Sequence, residues 1–379
     1  MRSSLVLLRG LALLAAAGLA LGGCKQKSIL VTGAACATDD DCDPGDDCVG
    51  GFCQGSSAGP DGGVTDAGGA LDAGPRDGGD AGPHDGGLSD AGDAGAPVDA
   101  GTIGLDGGTV DLLDFTFTGD TRSANCDDAS GGPGDYPAAT FESELSQMTA
   151  LYPQFGFDLG DHMYVCSGSL ANAQADMKRY TDALAAAWSP ARPFFMTMGN
   201  HECEEDDCSG KQATDANYVA YQAALTALTG QTLPYYSFQV QTRLGRASFI
   251  FVADHYFDDT AKSWLKSALK DADANSAYTF VIKHYPVTGS RQGPSSITSL
   301  IQSHHFSLVL TSHEHQYAHD TTTSGWGGRS VICGLGGANA STVDQGFCRV
   351  QQQADGSLLF TQYDLTGNPG DTWSVTARQ

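Results

Sequence analysis

Five short motifs in the C-terminal two thirds of the chain carry the residue types of a metal site. They are Gly119-Asp120, Gly160-Asp161-His162-Met163-Tyr164, Gly199-Asn200-His201-Glu202, Lys283-His284-Tyr285-Pro286 and His313-Glu314-His315-Gln316-Tyr317. Together they offer carboxylate, amide and phenol oxygens and imidazole nitrogens, the donors that hard and borderline cations take. Two adjacent ions can clamp a phosphoryl group and activate the water that attacks it, so the set points to two-metal chemistry.

Such residues act together only if the fold brings them to one place. Each motif directly follows a short apolar run of strand character. The strand candidates are Leu112 to Thr118, Phe155 to Leu159, Phe194 to Met198, Ser248 to Ala253, Thr279 to Ile282, Phe306 to Leu310 and Ser330 to Cys333. Between them, the segments near Phe141 to Leu151, Ala171 to Trp188, Thr214 to Leu228 and Ala261 to Lys270 return apolar residues every three or four positions, the period of amphipathic helices. Alternating strands and helices predict a layered α/β domain over residues 109–379. In open α/β sheets ligands bind outside the carboxyl ends of strands, so loops from five strands can converge there.

The six cysteines of this domain suggest disulfides on the same rim. Cys203 and Cys208 bracket an acidic loop after Asn200-His201, Cys333 with Cys348 is a second pair, and Cys126 with Cys166 is then the third. Among the remaining histidines, His162 is expected at the rim without catalytic duty. His304-His305 is expected to complement a helix dipole. His255 is left open between the pocket and a bland role. Tyr317 is expected to support the ligands from behind.

Upstream the composition changes. Arg2 and Arg9 flank an apolar run through Leu21, too short for a membrane span, and residues 1–23 read as a secretion signal. Leu21-Gly22-Gly23-Cys24 has the pattern of a bacterial lipobox, so Cys24 is the expected lipid anchor to a membrane. Export to the periplasmic face or cell surface would permit disulfides. Within residues 24–53, Cys36, Cys42, Cys48 and Cys53 sit among aspartates with almost no apolar residues. Two disulfides in any of three pairings would brace such a segment, with a four-thiolate zinc site as the competing reading. Residues 54–108 repeat Asp-Ala-Gly and Asp-Gly-Gly, the composition of a disordered, flexible linker. Much of the formal charge of -25 belongs to these upstream segments. A nucleic-acid surface would be basic, and no nucleic-acid partner is expected.

The set of motifs resembles the calcineurin-like metallophosphoesterases and, among them, the purple acid phosphatases of the small, mammalian type. The resemblance spans about residues 110 to 345. Ordinary members carry Asp-x-His in the first motif, where this chain has Asp120-Thr121-Arg122. Gly160-Asp161-x-x-Tyr164 is the purple-phosphatase form of the second motif, in which a tyrosine replaces that histidine. Lys283-His284-Tyr285-Pro286-Val287 and Gly334-Leu335-Gly336-Gly337-Ala338-Asn339 also resemble the small members.

The resemblance implies a layered αββα sandwich of two mixed sheets flanked by helices, here preceded by the disordered spacer. One metal would take Asp120, Tyr164, His315 and a shared Asp161. Two carboxylates and a phenolate suit Fe(III). The other would take Asn200, His284, His313 and the second oxygen of Asp161, a set suited to divalent Fe, Zn or Mn. His201 would hydrogen-bond the phosphate and protonate the leaving oxygen. The small members carry a second catalytic histidine where this chain has Gly293, and Arg122 or Arg291 would hold the phosphate instead. The expected function is hydrolysis of small-molecule phosphate monoesters by a hydroxide held on the metals. The alternatives are a phosphodiesterase or nucleotidase of the same fold, and a catalytically weak binding lipoprotein.

Overall fold

The computed structural model describes residues 46–49, 52–55, 103–123, 126, 138–203, 208, 210, 214–288, 292–320, 325–338 and 345–377. The chain divides into two compact units, Met1–Gly79 and Asp80–Gln379. In the first, strands β1 (Asp46–Val49) and β2 (Phe52–Gly55) form an antiparallel hairpin that sets Cys48 opposite Cys53 in register. The signal segment, Cys24, Cys36, Cys42 and most of the linker lie outside the described residues.

The second unit runs β3 (Ile103–Gly104), β4 (Gly107–Thr109), β5 (Asp114–Thr118), α1 (Ala138–Ala150), β6 (Phe155–Asp158), α2 (Leu170–Ala187), β7 (Phe194–Met196) and α3 (Ala216–Thr229). It continues with β8 (Tyr236–Thr242), β9 (Gly245–Val252), α4 (Asp259–Asn275), β10 (Tyr278–Lys283), α5 (Ser295–Gln302) and β11 (Leu308–Thr311). The last elements are β12 (Tyr317–His319), β13 (Ser330–Cys333), β14 (Gly346–Gln352), β15 (Leu358–Asp364) and β16 (Pro369–Val375). Among the described residues of this unit, sheet structure includes Ile103–Gly104, ahead of residue 109.

Two mixed sheets result. One has the order β12-β13-β11-β10-β9-β8-β4-β3 and the other β16-β15-β14-β5-β6-β7. In the second, β5, β6 and β7 run parallel, as do β9, β10, β11 and β13 in the first. Alternation along the strands builds the layers. Phe249 and Phe251 face the other sheet, while Ile250 and Val252 of the same strand join a separate cluster with Leu265, Leu269, Ile297 and Ile301 of α4 and α5. Between the sheets, Phe115 meets Phe249 and Phe280 edge-on with ring centroids 5.2 and 5.1 Å apart, and Phe155 meets Phe249 at 5.1 Å. These T-shaped contacts are the favoured aromatic geometry and fill the space between the two faces.

Side-chain caps set the helix starts: Ser169 accepts from Asn172 N, Asp215 from Tyr218 N and Asp258 from Ala261 N. Disulfides join Cys126 to Cys166, Cys203 to Cys208 and Cys333 to Cys348, the pairs the spacing suggested. The last of these ties β13 of one sheet to β14 of the other.

Candidate metal centre

The loops after β5, β6, β7, β10 and β11 meet at one end of the sandwich. Asp120 follows β5, Asp161 and Tyr164 follow β6, and Asn200 and His201 follow β7. The other sheet supplies His284 directly after β10, with His313 and His315 after β11. Five non-glycine residues among those described have positive φ, and four of them are Asp120 (60°), Asp161 (62°), His313 (71°) and His315 (46°). Side chains rarely adopt that region, and such strain persists only where the surroundings over-determine it.

Two donor groups share Asp161. In the first, Asp161, His284 and His313 place ligand atoms within 4.8 Å of one another; in the second, Asp120, Asp161 and His315 do the same. Asn200 completes the first group: its Oδ1 lies 3.0 Å from His284 Nε2 and 2.9 Å from His313 Nδ1, and these two nitrogens are 3.2 Å apart. His284 Nε2 is also 3.2 Å from Asp161 Oδ1. On its far side, His284 Nδ1 lies 2.9 Å from the Leu159 carbonyl and 2.9 Å from Ser312 Oγ, whose hydroxyl donates to the same carbonyl. Donation from Nδ1 to that carbonyl leaves the Nε2 lone pair facing the centre.

In the second group, His315 Nε2 is 3.6 Å from Asp120 Oδ1. Asp120 is fully buried, yet neither of its carboxylate oxygens has a hydrogen-bond partner, and Asp161 Oδ2 has none either. Orphaned buried carboxylate oxygens call for a cation. These residues therefore fit metal ions in donor chemistry, burial and proximity. The acid–base balance follows the same lines. Burial pushes the Asp120 carboxyl up to about 8 against the pull of His284. Burial also acts on Asp161, but His284 and His201 outweigh it and hold that carboxyl well below the carboxylate range. His284 is raised to about 10 because Asp161 overcomes the burial penalty, while burial and then Arg122 push His315 down to about 4.

Tyr164 lies at the edge of this cluster. The Arg122 guanidinium sits over its ring at 4.3 Å, and the His201 ring meets it edge-on at 4.4 Å. Arg122 Nε is 3.4 Å from Asp161 Oδ2, and its Nη2 is 3.4 Å from His315 Nε2. The His201 amide donates to Asp161 Oδ1 at 3.0 Å, and its ring nitrogen Nε2 lies 3.6 Å from Asp161 Oδ2. All seven candidate ligands, Arg122 and His201 are therefore brought together. Arg291 lies outside the described residues.

His162 corrects the expectation of a rim residue. It is fully buried, with Nε2 3.5 Å from Asp158 Oδ1 and Nδ1 3.2 Å from Glu202 Oε1. Glu202, given no role by sequence reasoning, accepts from the amides of Gly199 (2.6 Å), Asp161 (3.0 Å) and His162 (2.7 Å), so one carboxylate clamps the β6 and β7 loops. The GNHE spelling held that signal, because a glutamate three residues beyond a turn can reach back to its amides. His304 and His305 follow the end of α5, as expected, and both also lie against Asp273 of α4, at 2.6 and 3.4 Å. The buried His255 ring lies 5.0 Å from that of Tyr285, which in turn is 4.2 Å from His313.

Two glycines fix the walls. A Cβ at Gly334 would collide with Asp120 Oδ2 and approach His315 N to 3.0 Å. At Gly293 a Cβ would lie 2.7 Å from Asp254 Oδ1 and 3.1 Å from Tyr285 Cβ. Asp254 is in turn held by the buried Lys283 at 3.1 Å and by the Tyr285 amide at 2.9 Å. A side chain at position 293 is thus blocked by a buried ion pair.

The model of the calcineurin-like phosphoesterase family matches residues 115–317, more than half of the chain, and contains every candidate ligand. The chain belongs to the calcineurin-like phosphoesterase family. Among solved structures, the chain is similar to a purple acid phosphatase from yellow lupin (Lupinus luteus) seeds, with a TM-score of 0.51 and 16% identity over 70% of this chain and 54% of that one. It therefore spans little more than half the length of the lupin protein. A dimetal phosphatase from Danio rerio matches with a TM-score of 0.49 and 14% identity over 70% of this chain and 99% of that one. At 16% identity the likeness to the lupin protein speaks to the fold alone. No curated protein matches.

Proposed function

We propose that this phosphoesterase is an exported, membrane-tethered hydrolase of phosphate monoesters that works with two metal ions. The observation that carries the reading is the pair of donor groups joined through Asp161, with the buried Asp120 oxygens left without a hydrogen-bond partner. Asp120, Tyr164, His315 and Asp161 would hold Fe(III), and Asn200, His284, His313 and Asp161 a divalent ion, because anionic oxygens favour the higher charge. When bound, such a pair polarises the phosphoryl oxygens and acidifies water for in-line attack.

The chain's own groups supply the rest. Arg122, beside Asp161 and His315, is placed to take a phosphate oxygen with its guanidinium. As the water oxygen bonds to phosphorus and the ester P–O bond breaks, the leaving oxygen needs a proton, and the His201 ring stands beside Asp161 to give it. Upstream, Cys24 would carry the lipid anchor and residues 54–108 the spacer, as their composition supports.

The test is hydrolysis of p-nitrophenyl phosphate by the full chain, compared with the bis ester, alongside metal analysis and a visible spectrum. Monoester turnover, two metals per chain and a visible band lost in Tyr164→Phe are expected. Preference for the bis ester would move the reading to a phosphodiesterase, and a metal-replete but colourless protein would remove Fe(III). Detergent-phase partitioning lost in Cys24→Ser checks the anchor; a wild-type chain that stays in the aqueous phase would reject it.

A further inference from the structure

The family match ends at Tyr317, the first residue of β12, yet this strand is held from beyond it. β12 is an edge strand of three residues, paired only with β13, and it leaves the loop in which His313 and His315 hold strained backbone. Against the side chains of Tyr317 and His319 stand residues of β16, the edge strand of the opposite sheet. Trp373 stacks on His319 with centroids 3.6 Å apart and planes within 6°, and its Nε1–H donates to Tyr317 Oη at 3.1 Å. The Tyr317 hydroxyl donates to Asp371 Oδ2 at 2.8 Å. Residues 371 and 373 share one face of β16, and 317 and 319 one face of β12, so the two edges zip through a strand period of two. Trp373 is itself seated on Phe360 of β15 at 4.9 Å.

Resting on the metal-centre reading above, we propose that Trp373 and Asp371 are positioning residues for the His315 side of that centre. A three-residue strand with one paired edge does not by itself over-determine the left-handed backbone at His315, two residues away. The Asp371–Tyr317–Trp373 chain of hydrogen bonds and the stacked His319 brace the face of β12 that carries these two side chains. On the paired edge, Gly334 N donates to Gln316 O at 3.0 Å and Tyr317 lies opposite Cys333, so β12 is held along one edge and on one face. Loosening the β16 side would move His315, two residues from β12, more than His313, four residues away on the same loop, while His284 and Asn200 stand on other loops.

The test is calorimetric titration of metal-free full-length protein with Mn(II), read as two sites. In Trp373→Ala one site is expected to weaken about 10- to 100-fold, the usual range for groups that orient ligands, with the other, which shares only His313 with this loop, weakened clearly less. Trp373→Phe, which keeps the stack and loses the N–H, should fall between. Asp371→Ala should weaken the same site and Asp371→Asn, which still accepts from Tyr317, should restore it; this exposed pair serves if Trp373→Ala does not fold. Unchanged affinities, or equal weakening of both sites with a lowered melting temperature, would overturn the inference. A wild-type chain that takes up no Mn(II) would instead overturn the metal-centre reading on which it rests.

Discussion

Asp120, Asp161, Tyr164 and Asn200 follow strands of the six-stranded sheet, whereas His284, His313 and His315 follow strands of the eight-stranded one. Oxygen comes from one layer and nitrogen from the other, so neither sheet holds a complete site. The two sides are also built differently. On the oxygen side, Glu202 and Asp158 gather loop amides and His162 stands between them. The nitrogen side relies on single contacts, such as Leu159 O and Ser312 against His284, and on the Lys283–Asp254 pair beneath Tyr285. The centre depends on how the phenylalanine core docks the layers, and the Cys333–Cys348 disulfide fixes that docking at one edge.

Substitutions can break this division, and the bridging group should matter most. Asp161→Asn is expected to abolish measurable turnover and lower the metal content of purified protein; retained activity with two metals would end the bridging role. Next comes His201→Ala, expected to slow turnover about 10²- to 10⁴-fold while elemental analysis still finds both metals. Glu202→Gln weakens the clamp on the oxygen side, so metal affinity should fall about 10- to 100-fold in chelator competition. If instead the nitrogen side alone responds, the two sides are not separable as described.

Smaller effects should appear as stability. Gly293→Ala forces a Cβ onto Asp254 and should cost about 1–3 kcal/mol in denaturant unfolding. Glu144 gives a pH-dependent readout. It is fully buried on α1, accepts from Thr118 Oγ1 at 3.1 Å, and burial raises its carboxyl well above the ordinary 4.5. A raised value means that the folded state holds the proton more tightly. Its stabilisation is complete below the unfolded value and is lost as pH rises from there through the folded value. Glu144→Gln should flatten that decline, most visibly at neutral to alkaline pH; an unchanged pH–stability curve would assign the slope elsewhere.

The inner strands were legible because they are buried on both faces and read as apolar runs: β5, β6, β7, β9, β10, β11 and β13 all fall on such segments. Outer elements were not. β16 alternates exposed with half-buried residues, and β3 and β4 are glycine-rich, so neither carries a strong period. The short α5 has only Ile297 and Ile301 buried, and the sequence marked it only by the helix end expected before His304-His305. At the site, the ligand types and their strand-end placement were readable, but His162 was misplaced because a histidine between two ligands looks alike in sequence whether it faces solvent or a pair of carboxylates.

By itself the sequence determined the donor types, their order and the strands that precede them, because each is local chemistry or local period, and it suggested the cysteine pairs of the second unit. Only the tertiary structure decided that oxygen and nitrogen donors arrive from opposite sheets, that Asp120 is left without a hydrogen-bond partner, that Gly293 is closed by Asp254, and that β16 braces the strand after His315. Those facts depend on how two sheets dock through their side chains, a long-range outcome that no single segment encodes.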